Sequence, residues 1–281
     1  MSGLEILSSA KCIVGESPLW DEKKRQLLMV DIQGRRLRKI EWDTLKAKDT
    51  VLEQEVGFVV LGEDGSVIAG AEDGVYRIAG DGEFSRVSKP CKIKGLRFND
   101  GKVAPDGRLY LGTFSRDKSA AFYRMELDGE LVELFDGVGN SNGLDWSADG
   151  KQMYYNDTPT GKTEAFDFCD GSLKNRRDVI KYTSGNPDGM TIDADGNLWV
   201  ALWGSGLVAC VNPISQKIIH KIELPVSQPA SCAFAGDDLK SLVITTAAHG
   251  VSLRDEPLAG SVFVIKTETQ GMPTARLIRG V

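Results

Sequence analysis

The chain has 281 residues, 41% of them hydrophobic, and carries a formal net charge of −6. An acidic balance without a basic stripe argues against a nucleic-acid partner, and no apolar run approaches the length of a bilayer span, so no membrane association is expected. Thirty-one glycines suit many tight turns, and no long apolar stripe of helical period is present.

Leu4 to Ser8 reads as a short apolar strand. A single unit then recurs, made of an apolar strand, an Asp-Gly turn and a second apolar strand. It occurs at Asp64-Gly65, Asp106-Gly107, Asp149-Gly150 and Asp195-Gly196, with worn copies at Glu22-Lys23 and Asp237-Asp238. Asp-Gly between two such runs is a strong hairpin signal, because the turn needs positive φ and Gly supplies it without steric cost. The turn aspartates 64, 106, 149, 195 and 237 are separated by 42, 43, 46 and 42 residues. Six copies of a four-strand-sized period predict an all-β six-bladed β-propeller. The repeat runs from end to end without a linker, so residues 1–281 read as one domain.

Outer strands follow each hairpin: Arg36 to Glu41, Val75 to Ala79, Ala121 to Leu127 with Leu131 to Phe135, Thr163 to Phe168 with Asp178 to Tyr182, and Gly206 to Val211 with Ile218 to Leu224. The N-terminal strand would close the ring against residues 261–266, removing two free edges. The basic run Lys174 to Arg177 reads as a solvated outer strand. The five cysteines, Cys12, Cys91, Cys169, Cys210 and Cys232, form no C-x-x-C pair and leave an odd one over. That pattern predicts buried, reduced thiols. Met1 to Lys11 lacks the pattern of a secretory signal, and a cytoplasmic location is expected. Without aromatic surface patches, a monomer or weak oligomer is expected.

The innermost strand of each blade starts at one mouth of the channel. Seven positions before each turn stand Glu16, Gly57, Asn99, Asn142, Asp188 and Ala230, and four positions later come Trp20, Leu61, Val103, Trp146, Ile192 and Phe234, all apolar. Asn and Asp also cap strands at turns, but four side-chain oxygens in one register favour convergence on a point. Oxygen donors without Cys or His suit a hard divalent cation such as Ca²⁺, Mg²⁺ or Mn²⁺, able to polarise a carbonyl and acidify a water. Arg97 and Asn99 share one side of their strand and can orient substrate oxygens. Asp188, held between Pro187 and Gly189, is the candidate general base. Trp20 and Trp146 read as core between blades. His220 and His249 are the only histidines, and there is no G-x-S-x-G elbow, P-loop or H-E-x-x-H.

Gly15-Glu16-Ser17-Pro18-Leu19-Trp20, Arg97-Phe98-Asn99-Asp100-Gly101-Lys102, Ser141-Asn142-Gly143-Leu144-Asp145-Trp146 and Pro187-Asp188-Gly189-Met190 follow in order. With Asn197 to Ala201 they resemble the SMP-30/gluconolactonase/luciferin-regenerating-enzyme family of six-bladed propellers. The resemblance implies a metal on Glu16, Asn142 and Asp188, substrate contacts from Arg97 and Asn99, a further motif acid at Asp100, and hydrolysis of sugar lactones with Ca²⁺, Zn²⁺, Mg²⁺ or Mn²⁺. It also implies a lid glutamate, whose approximate place Asp117 takes in a shorter Gly112 to Lys118 segment. The expected activity is therefore a metal-dependent lactonase with Asp188 as base. A metal-dependent esterase or phosphotriesterase on the same propeller, and a non-catalytic calcium-binding scaffold, stay open.

Overall fold

In the computed structural model, which describes residues 3–278, the chain folds as a six-bladed β-propeller with almost no helix. Blade one shows the pattern, with antiparallel strands Gly15–Asp21, Gln26–Asp31, Arg36–Glu41 and Ala47–Val51 in sequence order. The later blades begin with Phe58–Gly62, Arg97–Val103, Ser141–Trp146, Asn186–Ile192 and Pro229–Ala235. These first strands pack on one another in a closed cycle around the channel.

The apolar second strands are explained by burial on both faces. Side chains alternate across a strand, and here each face meets a neighbouring blade. Leu28 and Val30 pack toward blade two, while Leu27 and Met29 pack toward blade six. Among the described residues there are six such cores, one in each gap between adjacent blades. Trp20 and Trp146 are buried in two of them, as expected.

The repeated turns behave as their chemistry predicts. Gly65, Gly107, Gly150 and Gly196 have positive φ. Asp106 Oδ1 and Asp149 Oδ1 accept the N–H groups of Arg108 and Lys151, two residues on, at 3.0 and 3.1 Å. The worn copies pay in backbone strain, with Arg25 at φ 50° and Leu239 at φ 49°.

Both chain ends close the ring. Glu5–Ser8 pairs with Val262–Lys266 as the outermost strand of blade six, which confirms the expected closure. A C-terminal strap, invisible in the repeat, then crosses the face opposite the candidate site. Ala194 N–H donates to Gln270 O, Gly271 N–H to Leu239 O, Glu63 N–H to Leu277 O and Ile278 N–H to Gly107 O. Thr274 Oγ1 donates to Trp20 O at 2.8 Å, and Arg276–Leu277 pairs in parallel with Leu61 and Gly62. Arg276 reaches Asp21 at 2.8 Å and Glu22 at 3.1 Å. Residues 270–278 thus tie blades five, six, one, two and three together.

One expectation needs correction. Cys12, Cys210 and Cys232 are buried, but Cys91 and Cys169 are exposed. Cys91 lies in an irregular connection and Cys169 at a strand end, where no neighbouring blade covers them. The basic run Lys174 to Arg177 is exposed on the outer strand Ser172–Lys181, as expected, and within it Arg176 pairs with Glu164 at 2.6 Å and lies over Phe135 and Phe166. Among the described residues, no helix is long and apolar enough to cross a membrane.

Candidate active site

The ring positions reach the channel mouth through a repeated backbone device. Pairing along the first strand slips between Glu16 and Leu19, Phe98 and Asp100, Ser141 and Leu144, Pro187 and Met190, and Pro229 and Ser231. Such bulges bend a strand and re-aim its side chains. In blade one the slip places Ser17 at φ 49°, where its N–H donates to Glu16 Oε2 at 2.9 Å. Its hydroxyl accepts Val59 N–H at 2.9 Å and so ties blade one to blade two. The glycine at ring position 57 is required by close approach, since a Cβ there would lie 2.4 Å from Phe98 O.

Glu16, Asn142 and Asp188 are 8%, 3% and 6% exposed, which makes the mouth unusual: two carboxylates and an amide withdrawn from water. Asp188 Oδ1 is buried without a hydrogen-bond partner. Burial, reinforced by the charge of Asp100, pushes the Asp188 carboxyl up to about 8, with the Asn142 amide opposing the shift. Burial and the charges of Asp188 and Asp100 hold Glu16 well above the usual carboxylate range. Asp100 itself is raised to about 6 by burial, against the pull of Lys102. Three acids therefore face one another with a shortage of positive charge.

The surrounding polar groups fix these side chains. Asn142 Nδ2 donates to Thr158 Oγ1 at 3.0 Å, and that hydroxyl donates to Pro187 O at 3.0 Å. With Nδ2 so engaged, Asn142 Oδ1 is the acceptor end left for a ligand. Asn156 Nδ2 donates to Asp188 O at 2.8 Å, and Thr163 Oγ1 bonds Asn156 Oδ1 at 2.7 Å and the Tyr182 hydroxyl at 2.8 Å.

Beside the carboxylates, Arg97 Nη1 donates to Asn99 Oδ1 at 2.7 Å and Asn99 Nδ2 to Ser141 O at 2.8 Å. Arg97 pairs with Glu55 through Nε at 3.2 Å and lies over the Phe114 ring. Below the mouth the channel holds a cavity of about 110 Å³, lined among others by Ser17, Asp100, Lys102, Asp145 and Cys232 and floored by the strap at Met272–Ala275. Lys102 is neutralised there by Asp145 at 2.6 Å.

The structure thus brings together Glu16, Arg97, Asn99, Asn142 and Asp188. Asp117 is different: it is exposed on the connection after Leu109–Phe114, and its carboxylate accepts the Ser119 N–H of its own turn at 3.2 Å. Among the described residues, no group of three or more His, Cys, Asp or Glu side chains has the arrangement of a metal site. The oxygen set here includes only two ring carboxylates and completes itself with the Asn142 amide. Sequence reading missed Glu55, Asn156 and Thr158. A signal existed for Glu55, which stands two positions before ring residue Gly57 as Arg97 stands two before Asn99.

Fold and mouth together define a propeller with an acidic, buried site at one end of a channel closed at the other. Residues 14–248 match the family model described as the SMP-30/Gluconolactonase/LRE-like region, and the chain belongs to that family. It is 37% identical to YvrE of Bacillus subtilis over 94% of each chain, a protein whose name assigns it provisionally to the sugar lactone lactonases. It is 38% identical to regucalcin of Danio rerio over 93% of each chain. The structure of a luciferin-regenerating enzyme superposes with a TM-score of 0.89 at 26% identity, covering 98% of this chain and 99% of that one.

Proposed function

We propose that this protein is a metal-dependent hydrolase that opens sugar lactones. The observation that carries the reading is the buried, unpartnered Asp188 Oδ1 beside Glu16 and Asn142. Two buried carboxylates crowded by a third are costly unless a cation meets them, and an all-oxygen donor set suits a hard divalent ion. The residues present therefore fit such an ion, with Glu16, Asn142 and Asp188 holding it. When bound it would polarise the lactone carbonyl and lower the pKa of a water.

The chain's own groups supply the remainder. Arg97 and Asn99 orient the ring oxygens and hydroxyls of the substrate, and the closed channel floor excludes approach from behind. A carboxylate oxygen of Asp188 takes a proton as water oxygen bonds to the carbonyl carbon. The ring C–O bond then breaks, and the proton passes to the departing alkoxide, giving the open hydroxy acid. Proton transfer of this kind is worth roughly 10²–10⁴ in rate.

The test is lactone hydrolysis by pH-indicator assay on metal-stripped protein, with Ca²⁺, Mg²⁺, Mn²⁺ or Zn²⁺ restored in turn. Glucono-1,5-lactone and other five- and six-membered sugar lactones are the substrates. Activity lost on chelation and regained with one ion is expected. Absence of hydrolysis under every combination would overturn the proposal.

A further inference from the structure

We infer that the site selects uncharged polyhydroxy lactones over lactones carrying a phosphate or carboxylate, and that Glu55 sets this discrimination. The inference rests on the lactonase reading above. Among the described residues Arg97 is the cation placed beside the ring acids at the mouth, and a free guanidinium binds anions through two parallel N–H groups on one edge. Here neither edge is free. Nε is held by Glu55 at 3.2 Å, and Nη1 donates to Asn99 Oδ1 at 2.7 Å and to Phe98 O at 3.0 Å. Each edge that includes Nη2 has lost its second nitrogen. The Nη2 nitrogen that remains turns its two N–H groups to different edges, which suits hydroxyls or ring oxygens and gives no bidentate grip on a phosphate or carboxylate.

The charges point the same way. Glu55 cancels Arg97, and Glu72 stands behind it, its Oε1 accepting Glu55 N–H at 3.2 Å. Lys102 is already committed to Asp145. A divalent ion on Glu16 and Asp188 would balance those two carboxylates and leave Asp100 and Glu72 in excess. The mouth therefore stays acidic when loaded and repels a second negative group on the substrate. The same field favours departure of the product, which is itself a carboxylate.

Glu55 follows the outer strand Ala47–Val51 on the connection into blade two, with its side chain 32% exposed. Its substitution leaves the ring strands untouched. The experiment measures kcat/KM of the metal-loaded wild type, Glu55→Gln and Glu55→Asp on glucono-1,5-lactone and on its phosphorylated analogue. The readout is the ratio between the two substrates, with salt held constant because screening compresses it. The wild type should prefer the neutral lactone by about tenfold or more, about 1.4 kcal/mol. Glu55→Gln should narrow that preference by about tenfold, and Glu55→Asp, which keeps the charge, should largely restore it. A wild-type ratio near one, or a Glu55→Gln ratio equal to the wild type's, overturns the inference alone. Failure of the wild type to open either lactone overturns the lactonase reading and this inference with it.

Discussion

Replacing Asp188 by Asn should make the metal-free protein more stable while it removes activity. The Asp188 carboxyl is held at about 8 in the fold, chiefly by burial and then by Asp100, against ~3.9 in an unfolded chain. For an acid raised by folding, stability is fully present at low pH and is lost as pH rises from the unfolded toward the folded pKa. The cost is therefore larger at pH 7 than at pH 5, where the unfolded chain holds its proton more often. Asparagine does not ionise, keeps nearly the same shape, and can donate to the facing carboxylate of Glu16. Since each kcal/mol is worth about 2 °C in a chain of this size, chelator-treated Asp188→Asn should melt measurably above wild type at pH 7 and by a clearly smaller margin at pH 5. Thermal melts at the two pH values, with and without the activating ion, provide the assay. The ion should raise the wild type and leave the variant nearly unmoved. A metal-free variant that melts below wild type at pH 7, or a gain that does not shrink toward pH 5, would refute the reasoning.

Two further substitutions test the supporting structure. Thr158→Val removes the hydroxyl that accepts Asn142 Nδ2 and should weaken ion binding by about tenfold, with Thr158→Ser near wild type; terbium luminescence titration reads this, and equal affinity for Val would show that the Asn142 amide is oriented by other groups. Arg276→Ala strips the cation from Asp21, whose side chain is 1% exposed. A buried charge left so costs ~3 kcal/mol, a fall of ~6 °C, and a melt within a degree of wild type would show that the strap does not depend on this pair.

The propeller could be read in the sequence because its signal is local and repeated. Each Asp-Gly turn sits seven residues after a ring position, polar in three of the four cases, and doubly buried strands such as Leu27-Leu28-Met29-Val30 need apolar residues on both faces. The ring residues Glu16, Asn142 and Asp188 were legible for the same reason: equal register in successive blades means proximity in space. Other features carry no periodic signal. Thr158 lies beyond the second strand of its blade and reaches Asn142 only because the chain turns back there. The strap repeats no blade, and its scattered hydrogen bonds, short strand pairing and ion pairs reach five of them. Asp117 was placed by its resemblance to a lid residue, yet in this shorter connection the carboxylate caps its own turn.

Closure by both ends has a consequence for how the molecule is made. Glu5–Ser8 cannot find its partner until Val262–Lys266 has been synthesised, and the strap that crosses five blades follows that strand in sequence. An incomplete chain therefore exposes a sheet edge at each end of an open arc, the kind of edge that recruits other chains. Because the deciding contacts span some 250 residues in sequence, assembly is expected to be slow. A nascent protein of this design stays an unclosed ring until Val262–Lys266 and the strap have emerged.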